Sequence, residues 1–293
     1  MDLVTSFSQF SEWIKAFKID KKAVCTNCFM LPGEIEKHIS SGRIAVVSSP
    51  EELFFFIAEN GFRRLVYYTS NPLSSKDTES LLCASGIMPV LADLVARDSE
   101  PSQMDRIIET KWKPAGFSLY KTYIRLLMRE IPSECFEPME YAFQVNGRKY
   151  CIGTGDPLKA EEVVSLWGQC LDPFSITLPG EEETSSFIRQ GKVHCITDDT
   201  GRLCAAMLRG DQGQRATVQH VCVHPDFRRL GLAHILMKAS MHDAVKAGIH
   251  TCFLWVDEKN HPAIQLYKRF GFEPDGMISR QLLFDGKPLP AFE

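Results

Sequence analysis

The sequence predicts an α/β or α+β protein, a sheet with helices on both faces, laid down twice along the chain. Three observations point there. Strand-like apolar runs alternate with amphipathic helical stretches through the C-terminal half. At 293 residues the chain is too long for one small core and suits two domains. Short N-terminal segments echo C-terminal ones in the same order, the mark of a diverged internal repeat.

In the C-terminal half, residues 158–171 read as a helix, with Val163, Val164, Leu166 and Trp167 interleaved with acids, and 181–190 as a second, shorter one. Strand-like runs follow at 193–196, 203–208 and 217–223, separated by turn residues at Asp198-Asp199 and Asp211-Gln212-Gly213. From Gly231 the period changes: Leu232, Ile235, Leu236 and Ala239 mark one face of a helix that stops near Gly248. Residues 251–256 read as a strand and 262–270 as a helix with proline in its first turn. A closing hairpin over 272–284 is expected to turn near Asp275-Gly276. The order helix, helix, three strands, helix, strand, helix, two strands gives a sheet covered on both faces.

The N-terminal half repeats parts of this. Leu31-Pro32-Gly33-Glu34 matches Leu178-Pro179-Gly180-Glu181, and Gly42-Arg43-Ile44 matches Gly191-Lys192-Val193. Ala115-Gly116-Phe117 lies where Phe270-Gly271-Phe272 lies. Asn60-Gly61 between two apolar runs reads as a hairpin turn. The boundary is placed near Ile131-Pro132-Ser133-Glu134, giving domains 1–135 and 136–293.

Composition excludes several classes. The chain is 44% apolar and 24% charged, as ordinary globular proteins are. No apolar run is long enough to cross a bilayer, and the N-terminus does not read as a secretory signal. The net charge of −4 is spread evenly, so no basic face speaks for nucleic acid. Cys195, Cys204, Cys222 and Cys252 sit inside apolar runs and read as free thiols of a reduced, cytoplasmic protein. Cys25-Thr26-Asn27-Cys28 has the spacing of half a zinc site, but no second pair completes it, and no metal is expected.

The chemistry concentrates in Val221-Cys222-Val223-His224-Pro225-Asp226-Phe227-Arg228-Arg229-Leu230-Gly231-Leu232-Ala233, a strand running through a loop into a helix. Amides in the first turn of a helix lack intrahelical partners and suit a phosphate. Gly231 and Ala233 keep side chains small there, and Arg228 and Arg229 add positive charge. This loop resembles the acetyl-CoA pyrophosphate loop of the GNAT superfamily, R/Q-x-x-G-x-G/A after a strand ending in V-x-P, with Ala233 in place of the commoner glycine. A second signature of that family, N-x-x-A-x-x-L-Y-x-x-x-G-F, is matched at every fixed position from Asn260 to Phe272.

The resemblance covers roughly residues 136–293 and implies a mixed, mostly antiparallel sheet, with acetyl-CoA as cosubstrate. It implies that the backbone of Val221, Cys222 and Val223 pairs with the pantetheine arm where this strand parts from its neighbour. The amides of Arg229, Leu230, Gly231, Leu232 and Ala233, with Arg228, would hold the pyrophosphate. Asn260 would touch the arm near the thioester, and Tyr267 would protonate the departing thiolate. A phenol, with an ordinary pKa near ~10, keeps its proton at neutral pH and can donate it.

The base is less legible. Where many members of the family have a glutamate, this chain has Thr217, and Trp255 stands on the following strand. His220 is the nearest titratable group to accept a proton, ahead of Asp257 and Glu258. The N-terminal half has no such loop: Tyr68 to Lys76 contains none of its arginines or glycines. That copy is expected to have lost the cofactor site.

The function expected is acetyl transfer to a primary amine of a small molecule, peptide or protein, by direct attack in a ternary complex. An aminoacyl or longer-chain acyltransferase and a non-catalytic acyl-CoA sensor are the alternatives. Neither acceptor nor oligomeric state can be read from the sequence.

Overall fold

The computed structural model describes residues 1–293 apart from 84–88, 98–100, 136, 138, 157–158, 173, 175–176 and 286–293. The chain divides into two compact units, Met1–Tyr123 with Gly276–Glu293, and Ile124–Asp275. The division expected after residue 135 falls inside the second unit. The stretch at which the boundary was placed is core: Ile131 and Cys135 are buried, and the Ile131 amide donates to His250 O at 3.1 Å.

In the first unit, α1 (Phe7–Lys18) and α2 (Pro32–Ser40) precede three antiparallel strands, β3 (Ile44–Ser48), β4 (Glu52–Ala58) and β5 (Arg63–Thr69). Then come α3 (Thr78–Cys83), β6 (Val90–Arg97), α4 (Pro101–Ile107) running into a π-helical turn (Ile108–Trp112), and the start of β7 (Ser118–Met128). Two short strands, β1 (Asp2–Leu3) and β2 (Cys25–Thr26), pair with β3 and β5. The Asn60-Gly61 hairpin joins β4 to β5 as expected, with Gly61 at φ +84°. Alternation along β4 sends Leu53, Phe55 and Ile57 toward α1 and α2, where Phe10, Phe17, Ile35 and Ile39 meet them.

The second unit opens with a hairpin, β8 (Ala142–Val145) and β9 (Arg148–Thr154). It continues as α5 (Ala160–Cys170), α6 (Glu181–Arg189), β10 (Val193–Asp198), β11 (Leu203–Gln212), β12 (Arg215–Val223), α7 (Leu232–Lys246), β13 (Thr251–Asp257), α8 (His261–Arg269) and the start of β14 (Glu273–Phe284). The strand order is β7, β13, β12, β11, β10, β9, β8, antiparallel at every described pair except β12 with β13. Alternate residues of β11 face opposite ways. Ala206 and Leu208 pack with Trp167 of α5 and Ile188 of α6, while Ala205 and Met207 pack with Leu236 and Met237 of α7. Helices therefore cover both faces.

The expected closing hairpin is a single strand of 12 residues. Gly276, at φ +81°, takes a left-handed conformation without reversing the chain. From Met277 to Phe284 the strand pairs antiparallel with β6, and so belongs to the first unit.

Both units follow one order: two helices, three antiparallel strands, a helix, a parallel strand, a helix and a strand. Gly42 and Gly191 close the second helix of each with φ +66° and +68°, and Gly116 and Gly271 occupy matching turns at +94° and +84°. The Leu-Pro-Gly-Glu echo is out of phase, since Pro32 begins α2 whereas Gly180 caps α6.

Candidate active site

The site begins where two parallel strands separate. β12 and β13 share three rungs, Arg215 with Thr251, Ala216 with Cys252 and Thr217 with Phe253, and then part. Beyond Thr217 the β13-facing edge of β12 has no strand beside it among the described residues. A β-bulge lies on this stretch. Leu208 faces Gln219 and Ala206 faces Cys222, so Met207 alone spans His220 and Val221. His220 takes a left-handed conformation there, with φ +51°.

Past Val223 the chain makes a 3-10 turn (Pro225–Phe227) and enters α7 through Gly231. Phe227 anchors the turn in the core, and the Arg202 guanidinium lies 5.0 Å from its ring centroid while donating to Asp226 Oδ2 at 2.8 Å. That hydrogen bond holds the exposed Asp226 carboxyl below its usual range. Arg229 and Gly231 both have positive φ, +63° and +77°. The amides of Arg229, Leu230, Gly231, Leu232 and Ala233 find no partner among the described residues. Five successive free N–H groups at the positive end of a 15-residue helix suit a pyrophosphate in geometry and sign. Nothing lies within 4 Å of where a Gly231 Cβ would stand, so glycine is required there by conformation, not by crowding inside the chain. The exposed Arg228 bends back to donate from Nε to Val223 O at 3.3 Å.

Tyr267 projects from α8 into the core beside Phe272, with ring centroids 5.9 Å apart. Burial, and then the neighbouring Cys222 thiol, push its phenol well above the ordinary tyrosine range. The phenol is therefore protonated at neutral pH. Burial and Cys170 likewise push the Cys222 thiol upward, so it is neutral and a poor nucleophile. Asn260 is the N-cap of α8: its side-chain oxygen accepts from the Ala263 amide at 3.3 Å, which leaves its NH2 group for a ligand.

Among the candidate bases, burial alone lowers His220 to about 4. The ring is neutral at pH 7 and able to accept a proton. The Thr217 hydroxyl accepts from Gln219 Nε2 at 3.0 Å, and Trp255 lies beneath Arg125 at 5.8 Å. Asp257 is committed to the turn before α8 through the Lys259 amide at 2.9 Å, and Glu258 is exposed. Arg202 and Phe227, which brace the loop, were not singled out from the sequence. The Phe227 spacing two residues after a proline turn was the available signal.

The first unit builds the same frame and closes it. β5 and β6 also share three rungs, Arg63 with Val90 to Leu65 with Ala92. Beyond them β2 takes the free edge of β5, pairing Cys25 with Thr69 and Thr26 with Tyr68. The Asn27 side chain completes the cover, donating to Leu65 O at 2.9 Å and accepting from the Tyr67 amide at 2.7 Å. Trp112 is fully buried against Phe54, Tyr67 and Phe117, and the ammonium of the adjacent Lys111 is bound by Glu52, Thr78 and Ser74 O. Among the described residues, no open edge of β5 remains there for a cofactor arm.

Comparison with known proteins agrees with this geometry. Residues 161–272 match the acetyltransferase (GNAT) family. An acetyltransferase of Yersinia enterocolitica is 25% identical over 129 residues, 43% of this chain and 90% of that protein. Among solved structures, a tandem GNAT protein from the clavulanic acid biosynthesis pathway aligns over 98% of both chains with a TM-score of 0.60 at 14% identity. A GCN5-related N-acetyltransferase from Sphaerobacter thermophilus aligns over 90% of this chain and 88% of its own with a TM-score of 0.59 at 17% identity. These two likenesses establish the fold.

Proposed function

We propose that this chain, whose residues 161–272 belong to the GNAT acetyltransferase family, transfers an acetyl group from acetyl-CoA to a primary amine by direct attack in a ternary complex. The observation that carries the reading is the open edge of β12 leading into five unpartnered amides at the start of α7. An extended pantetheine arm suits the first and a pyrophosphate the second. Arg228 adds charge at the same place, and the Asn260 amide lies at the mouth of α8.

In this reading the amine nitrogen attacks the thioester carbonyl, and the C–S bond breaks. The proton lost by the amine passes to His220, directly or through water, and the proton of the Tyr267 phenol goes to the departing sulfur. The neutral, buried Cys222 favours direct transfer over an acyl-cysteine relay.

Calorimetric titration with acetyl-CoA tests the site. Arg228→Ala combined with Gly231→Asp should abolish binding, because it removes a cation and sets a carboxylate against the pyrophosphate. Unchanged affinity overturns the placement. Following free thiol over a panel of amines tests the reaction. Tyr267→Phe should lower turnover by about 10²–10⁴-fold, the usual share of a general acid, with little change in acetyl-CoA affinity. If acetyl-CoA binds but no amine speeds thiol release, the protein is a sensor and not a transferase.

A further inference from the structure

We propose that Trp167 is a positioning residue for His220: its indole holds the imidazole in the β-bulge and keeps water off it. The inference rests on the acyl-transfer reading above, and its test separates the two.

His220 is not placed by its own strand. At the bulge it has left the ladder, and its φ of +51° is one that non-glycine residues adopt only when the surroundings impose it. What lies against it is α5. Ala160, Val163, Leu166 and Trp167 form the buried face of that helix, packed on β10, β11 and β12. Trp167 is the fully buried member, and its ring centroid lies 5.2 Å from that of His220, with the planes at 57°. A bulky, fully buried indole at this contact leaves the imidazole little room to turn.

The same contact sets the chemistry. No charged side chain of α5, β11 or β12 contributes to the lowered basicity of His220, which comes from burial alone, and the neighbouring thiol of Cys222 is neutral. The two tilted rings each have a buried nitrogen without a partner among the described residues, Trp167 Nε1 and His220 Nδ1. Indole N–H is only a donor, whereas a neutral imidazole nitrogen can accept. With its Nδ1 atom buried, a neutral imidazole of this kind can take a proton from the attacking amine but does not hold one beforehand.

The test is an NMR titration of the imidazoles, with the His220 signal identified by its loss in His220→Asn. In the native protein His220 should titrate near about 4. In Trp167→Leu it should move up by about one unit or more toward the ordinary value near ~6.5, a tenfold gain in proton affinity. Trp167→Phe, which keeps an aromatic cover, should move it far less. Since the base must be unprotonated to act, the acid limb of kcat/KM should rise by the same amount in Trp167→Leu. An unmoved titration in a folded Trp167→Leu overturns the proposal. If Trp167→Leu does not fold, a native His220 titrating near ~6.5 overturns it equally. A titration that moves while the acid limb stays put removes His220 from the reaction, and the proposal with it, leaving the acetyl-CoA site untouched.

Discussion

Replacing Lys111 by Met probes how firmly the first unit has closed its own cleft. Lys111 is fully buried and Glu52 is 2% exposed, and the ammonium also binds Ser74 O at 2.8 Å and the Thr78 hydroxyl at 3.2 Å. The Thr78 hydroxyl in turn donates to the Glu52 carboxylate at 2.7 Å. Methionine has nearly the volume of lysine without the charge, so cavity formation is a small part of the cost. What remains is a buried carboxylate with one hydroxyl for company, and breaking such a pair destabilises by about 3–5 kcal/mol. Removing both charges, in Lys111→Met with Glu52→Leu, should recover most of that loss, because an apolar replacement of a buried pair is commonly neutral. Urea denaturation followed by circular dichroism reads both variants, and tryptophan fluorescence reports Trp112 next door. A single variant costing less than about 1 kcal/mol would refute the reasoning, as would a double variant no better than the single one.

Three further outcomes are expected. Asn27→Ala strips partners from Leu65 O and the Tyr67 amide and should cost about 2–3 kcal/mol in the same denaturation assay, while calorimetry still finds one acetyl-CoA per chain. Gly231→Ala should lose about 1–2 kcal/mol of stability from a Cβ forced to φ +77° and weaken acetyl-CoA in calorimetry; equal affinity would mean that the loop does not meet the ligand through its backbone. Asp243 is held below the usual carboxylate range by its hydrogen bond to His194, at 3.0 Å. A depressed carboxyl stabilises above its unfolded pKa and ceases to as pH falls through the folded one. Melting temperature in the native protein should therefore drop more steeply with acid than in Asp243→Asn, and parallel curves would contradict this.

Much of the second unit was legible because its elements follow local rules. The long amphipathic helix after Gly231, the Asn260 cap followed by proline, and the strand into the anion loop all announce themselves within a few residues. The β8–β9 hairpin was missed although Asn146-Gly147, both at positive φ, lies between alternating residues, the usual sign of a two-residue turn. Asp275-Gly276 misled for the opposite reason: the same kind of dipeptide sits in the middle of a strand whose partner, β6, is far away in sequence. No local pattern encodes that pairing, or the use of Cys25 to Asn27 to seal β5. The acid of the proposed reaction sits in a motif, while the base depends on a bulge and on a tryptophan from another helix, and only three dimensions bring those together.

The last strand has a consequence for the order of events during synthesis. The first unit pairs its β6 with Met277 to Phe284, which leave the ribosome after Met1 to Tyr123 and after the whole of the second unit. Until then Val90 to Arg97 waits with one edge bare while more than half of the chain is still being made, an interval in which an unpaired strand invites association with neighbours. The second unit holds all of its own segments by Asp275 and can fold first. A chain built N-terminus to C-terminus would thus mature in reverse, its second unit ahead of its first.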